Sequence, residues 1–134
     1  MEIEPAVIPA IVFSDLVIRD QNTGKLTLVG VFQRFKAGQA PFTTPQFYAT
    51  VLVTNLRGQP ENVPVRLDIE DQDGDKLSTA TGVVSATAHV LRNDVAEIAF
   101  PMPPTRFERA DQYKAVVSVN DEILGSRSFS VQVE

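Results

Sequence analysis

The chain has 134 residues, no cysteine, no tryptophan and one histidine, His89, with 17 acidic and 12 basic side chains for a net charge of −5. That length predicts one domain, residues 1–134, able to bury roughly two thirds of its unfolded surface without a disulfide or a metal. The acidic balance disfavours nucleic acid as a partner, since that affinity draws on a concentrated positive patch, and the arginines are scattered, with only Arg106 and Arg109 close together.

Residues 1–10, MEIEPAVIPA, carry two glutamates and two prolines where a secretory signal needs a basic start and an uninterrupted apolar stretch. They are expected to form an N-terminal arm on a cytoplasmic protein. No apolar run approaches the roughly 20 residues of a membrane-spanning helix, so no membrane partner is expected.

Ile11 to Arg19 reads as a first strand, reversed by Asp20-Gln21-Asn22-Thr23-Gly24, and Lys25 to Phe35 returns as a second. Both runs are apolar on both parities, so both faces of this hairpin want cover. Lys36 to Pro45 reads as a loop and Gln46 to Thr54 as a third strand, closed by Arg57-Gly58-Gln59-Pro60. Val65, Leu67 and Ile69 alternate with Arg66, Asp68 and Glu70 in the plainest half-buried strand.

Asp71-Gln72-Asp73-Gly74-Asp75 then turns the chain into Lys76 to Ala80, and a weaker run passes through Val83, Val84 and Val90 to a turn at Asn93-Asp94. Val95 to Phe100 is a further strand, ended by Pro101-Met102-Pro103-Pro104. Tyr113 to Val119 and Arg127 to Val133 form the last pair, joined through Asn120-Asp121 with an irregularity near Gly125. No helical period appears. Seven to eight short strands at this spacing predict an all-β, antiparallel two-sheet sandwich of immunoglobulin-like form, with a small closed barrel as the alternative. The expected core is Val51, Val53, Val65, Leu67, Ile69, Ile98, Phe100, Val117, Val119, Phe129 and Val131.

Few side chains offer chemistry. Asp68, Glu70, Asp71, Asp73 and Asp75 gather hard oxygen ligands, but counting from Asp71 the sixth position is Lys76 instead of glycine and the twelfth is Gly82 instead of glutamate, which breaks an EF-type loop. Turn chemistry accounts for the same residues. His89 has no sequence neighbour that marks a nucleophile, and there is no phosphate loop or nucleophile elbow. Asp15, among apolar neighbours, is expected to pair with Lys25 or Arg34. Tyr113 stands where the tyrosine corner of immunoglobulin-like domains would be. Its second neighbour is Ala115, so the disulfide-bearing families are excluded.

Three stretches, SDLVIRDQNTGKLTLVGVF, DIEDQDGDKL and DQYKAVVSVNDEILGSRSFSV, together resemble a family of small uncharacterised bacterial proteins across nearly the whole chain. The resemblance implies an immunoglobulin-like sandwich with no assigned activity. No functional residue carries over.

The reading that follows is a noncatalytic protein-interaction or structural module, not an enzyme, with no catalytic, metal or cofactor residue. Its partner would be another protein or copies of itself, met through Phe13, Val17, Val29, Val31 and Phe35 if that parity faces away from the core. The alternative covering is the arm, Ile3 to Ile8, folded across the same face. The alternative function is a ligand-binding sandwich for calcium or a carbohydrate-like molecule, at the acidic tip or the loops near Arg106 and Tyr113.

Overall fold

The structure is a computed structural model that describes residues 7–56, 61–85 and 95–134. No described residue is helical, and eleven strands follow one another: β1 Val7–Arg19, β2 Leu26–Phe32, β3 Phe35–Ala37, β4 Phe42–Thr43, β5 Phe47–Thr54, β6 Asn62–Glu70, β7 Lys76–Ser85, β8 Ala96–Met102, β9 Arg106–Phe107, β10 Asp111–Val119 and β11 Glu122–Val133. They form a four-stranded sheet in the order β2-β1-β5-β8, a five-stranded sheet in the order β3-β11-β10-β6-β7 and a two-stranded sheet of β4 and β9. Every pairing is antiparallel except β3 on β11.

The extra strands beyond the expected seven or eight are mostly short. The second expected strand breaks at Gln33-Arg34, so that Phe35 opens β3 and pairs with Val131 in the other sheet. β4 and β9 lie in segments without alternation; Phe42 pairs with Phe107, and ring burial holds them together where pattern does not. β8 continues through Pro101 to Met102 because it is an edge strand, where a missing N–H costs no ladder bond. β1 begins at Val7, inside the expected arm, with a register shift between Val7 and Ala10 that accommodates Pro9. The expected turns at Arg57 to Pro60 and Asn93-Asp94, together with residues 1–6 and His89, lie outside the described residues.

The irregularity expected near Gly125 is present. Val117 pairs with Gly125 and Ser118 with Ile123, leaving Leu124 as the extra residue. A Cβ at Gly125 would lie 2.8 Å from Cβ of Ile8, so the absence of a side chain lets the first strand approach the last. Asn120 and Asp121, at φ 51° and 64°, form the tight two-residue turn between β10 and β11.

Both larger sheets feed one hydrophobic cluster. All the expected core residues belong to it, with Ile98 only partly buried. Arg127 ties the sheets at one margin: its guanidinium lies 4.7 Å from the Phe13 ring centroid, its Nη1 donates to Ile11 O at 2.9 Å, and its Nη2 donates to Gln33 Oε1. On the other side of β6, Asp68 is 1% exposed yet fully engaged, by Arg66 at 3.0 Å, Lys76 at 3.7 Å and the hydroxyl of Thr79. Its carboxylate is thereby spared the cost of unpaired burial.

Tyr113 completes the framework by donating its hydroxyl to Arg109 O at 2.7 Å, four residues upstream. Burial pushes this phenol above its ordinary value.

Leu67 is wholly buried, and Leu67→Ala should lower the unfolding free energy by roughly 2–5 kcal/mol in denaturant titrations. Tyr113→Phe should cost about 1 kcal/mol at neutral pH through the lost hydrogen bond. The raised phenol makes the folded state hold its proton longer than the unfolded chain does. That contribution is complete below a pH of about 10 and is lost as pH climbs through the raised value. Melting temperatures between neutral and strongly alkaline pH should therefore fall less steeply in Tyr113→Phe than in the parent.

Candidate functional site

β1 and β2 form a hairpin whose outer half leaves the sheet. Pairing of β1 with β5 ends at Ser14↔Tyr48, whereas pairing with β2 continues to Arg19↔Leu26. From Leu16 onward the two strands are a ribbon with no third strand among the described residues beside them. Asp20 closes its tip by accepting from the backbone N–H groups of Thr23 and Asn22, both at 2.8 Å, and these bonds hold its carboxyl below the usual range. Asp20 N also donates to Lys25 O at 2.9 Å.

Partners across an antiparallel pair share a face. Ser14 pairs with Val31, Leu16 with Val29 and Ile18 with Thr27 on the outward face, while Phe13 with Phe32 and Val17 with Leu28 form the inward one. Leu16, Ile18, Val29 and Val31 are between 42% and 51% exposed. On the inward side Val17, Leu26 and Leu28 are half-buried.

The five residues expected to make the contact face are therefore not one surface. Val29 and Val31 are outward and exposed, but Phe13 is 0% and Phe35 8% exposed, both in the core, and Val17 is on the inward side. The reason is the turn. It pairs even-numbered β1 residues with odd-numbered β2 residues, so odd residues of the two strands lie on opposite faces. The bend before Phe35 then breaks the alternation of β2. Leu16 and Ile18 take the places of Phe13 and Val17, and the register implied by the turn's residue count was the signal that could have found them.

Gly30, at φ 69°, sits in the middle of β2. A Cβ there would lie 2.3 Å from Asp15 Oδ2, so the Asp15 side chain occupies the space over the glycine. Asp15 is exposed and forms no ion pair with Lys25 or Arg34. The expected pairing is absent because a carboxylate in water needs no cation.

The acidic residues divide into two groups. Asp68 belongs to the network of Arg66, Lys76 and Thr79, and the side-chain oxygens of Asp71, Asp73 and Asp75 lie within 4.8 Å of one another at the β6–β7 tip. Asp71 Oδ1 accepts the N–H groups of Asp73 and Asp75, each at 2.9 Å, and Asp71 N donates to Asp75 O at 3.0 Å. An open cavity of about 210 Å³ adjoins this tip, lined by Asp71, Asp73, Glu108, Arg109, Asp111 and Tyr113 among others. The two ligand sites suggested by the sequence thus meet, without Arg106, which pairs with Glu108 at 2.7 Å. The polar groups of the cavity are engaged with each other: Arg109 with Asp111 at 3.0 Å, Gln72 Nε2 donating to Asp111 Oδ1 at 2.5 Å, and Tyr113 with Arg109 O.

Among the described residues no helix is long and apolar enough to cross a membrane. Among solved structures, the chain is similar to the alkylpurine DNA glycosylase AlkC of Pseudomonas fluorescens, bound to DNA containing an abasic site analog, at 13% identity and a TM-score of 0.47 over 96% of this chain and 30% of that one. It is also similar to a β-glucuronidase of glycoside hydrolase family 2, at 12% identity and a TM-score of 0.40 over 69% of this chain and 11% of that one. The chain thus spans under a third of the length of either protein. No curated protein matches it. A family described as a family of unknown function, DUF6941, matches residues 9–132, and the chain belongs to that family.

Proposed function

We propose that this protein is a noncatalytic interaction module built on an immunoglobulin-like β-sandwich, which binds another protein through the outward face of the β1–β2 ribbon. The strand orders support the fold. β1-β5-β8 corresponds to strands A, B and E of that architecture and β11-β10-β6-β7 to G, F, C and C′, with the tyrosine corner on the F-equivalent β10.

One observation carries the interaction reading: Leu16, Ile18 and Val29 stand half in water on one face of a ribbon that no third strand among the described residues supports, and Val31 continues that face where β5 begins. An isolated two-stranded hairpin is marginal in water, and apolar surface gathered in one place marks a contact site. The edge is also unguarded. β2 reads LTLVGVF, without charge or proline, whereas the opposite edge strand β8 contains Glu97 and Pro101, the usual protection against unwanted pairing.

A second reading, a site for calcium or a small polar ligand, rests on the cavity shared by the acidic tip and the Tyr113 corner. It is the weaker one, because Asp71 Oδ1, Asp111 and the Tyr113 hydroxyl already have partners within the protein.

Two measurements follow. Neither chelator nor millimolar calcium should move the melting temperature, and a rise of several degrees with calcium would favour the second reading through the linkage of binding to stability. A photo-crosslinking amino acid at Val29, introduced in the cells that make this protein, should yield discrete protein adducts that disappear when Leu16 and Ile18 are both changed to glutamate. An adduct pattern no different from that of the same probe at the exposed Ser128 would count against the interaction module.

A further inference from the structure

We infer that the partner on the ribbon is a second copy of this chain, stacked face to face about a two-fold axis that runs along the ribbon between its strands. This rests on the reading of the outward face as an interaction site. Such an axis lays β1 of one copy over β2 of the other, with both tips pointing the same way. Leu16 of each copy then lies over Val29 of its mate, with Ile18 over Thr27 on the tip side and Val31 at the level of Ser14 on the other, at the roughly 10 Å spacing of packed sheets.

Two features favour a second copy over a different protein. The first is composition: the outward rows, Ser14, Leu16 and Ile18 beside Thr27, Val29 and Val31, carry no charge and set Leu16 on Val29 and Ile18 on the methyl of Thr27, and a two-fold contact requires a surface that matches itself in this way. The second is charge. Asp20 and Lys25 face each other across the tip, joined by the bond from Asp20 N to Lys25 O. Asp20 belongs to the β1 side and Lys25 to the β2 side, so the same axis sets Asp20 of each copy opposite Lys25 of the other. The axis that matches the outward rows thus also matches the charges at the tip. Its symmetry produces two opposite-charge contacts and no like-charge one.

The area sets the strength. Two ribbons stacked over the length of β2 present faces of roughly 23 by 10 Å to each other, a contact at the small end of the range, where weak and transient encounters lie. The dimer is expected to be weak and reversible.

The chain has no cysteine, so a single introduced thiol is unique. Sedimentation velocity of the intact protein should show a monomer–dimer equilibrium over the micromolar range. Lys25→Glu, which sets glutamate opposite Asp20, should weaken it several-fold at low salt. A short bismaleimide, which spans the gap between stacked sheets that a disulfide cannot, should crosslink a mixture of Leu16→Cys and Val29→Cys proteins into the mixed dimer and should also join Leu16→Cys to itself, with no dimer formed by Ser128→Cys. Crosslinks of Val29→Cys with itself alone would overturn the stacked geometry in favour of pairing edge to edge, which holds the two β1 strands apart. A protein that stays monomeric at high micromolar concentration overturns the second copy altogether. In that case foreign adducts to the Val29 photo-crosslinker would leave the interaction module standing, and adducts matching those at Ser128 would remove it as well.

Discussion

Phe35 meets five other rings: Phe32 at 4.9 Å, Phe47 at 5.2 Å, Phe107 at 5.6 Å, Phe129 at 5.8 Å and Phe42 at 6.5 Å between centroids. Phe32 and Phe47 belong to the four-stranded sheet, Phe129 to the five-stranded sheet, and Phe42 and Phe107 to the small one. One side chain therefore touches all three sheets. Aromatic pairs contribute about 0.5–1.5 kcal/mol each beyond the area they bury, enough to offset fixing the two-residue bend that separates β2 from β3. Without that anchor the chain would gain more by continuing β2, and β11 would lose the parallel strand at its edge.

The ribbon is a consequence of the same anchor. β2 can accompany β1 only as far as Phe32, because Phe35 is held in the other sheet. At nearly the same level of β1, on its other side, β5 begins at Phe47, whose ring lies against Phe13, Phe32 and Phe35. Both limits are set by rings in one cluster, and the strand beyond them, Leu16 to Arg19, has only β2 for support. Among the described residues, nothing forms a second layer over the outward side of the aliphatic side chains there. Gly30 and Asp15 lie at the boundary, where a positive φ and an exposed carboxylate mark the passage from sheet to ribbon.

What the sequence made legible follows the same division. Alternation in Val65 to Ile69 and Val117 to Val119, and the turns at Asp71 to Asp75 and Asn120-Asp121, were readable because local chemistry and tertiary packing ask for the same residues there. β3, β4 and β9 were not, since two or three residues held by distant rings leave no periodic trace. The contact face was half legible. Each strand displays its own two parities, but which parity of one shares a face with which parity of the other depends on the residue count of the turn. A shift of one residue exchanges core for surface, which is why Phe13 was expected outside and stands inside, while Phe35 is inside because the bend at Gln33-Arg34 carries it into the other sheet.

The polar corner and the apolar ribbon differ in what remains for a partner to satisfy. At the β6–β7 tip the carboxylate of Asp71 already accepts two backbone N–H groups, and Asp111 is shared between Arg109 and Gln72. An arriving cation would compete with bonds that hold the turn and the corner in shape, and its gain would be reduced by their loss. On the ribbon nothing has to be broken. Water over Leu16, Ile18, Val29 and Val31 is released when another surface arrives, at about 25 cal/mol for each Å² removed, and no internal hydrogen bond opposes it. At the ribbon the apolar gain is set against the entropy of association alone, while at the acidic corner a cation must also make good the internal bonds it displaces.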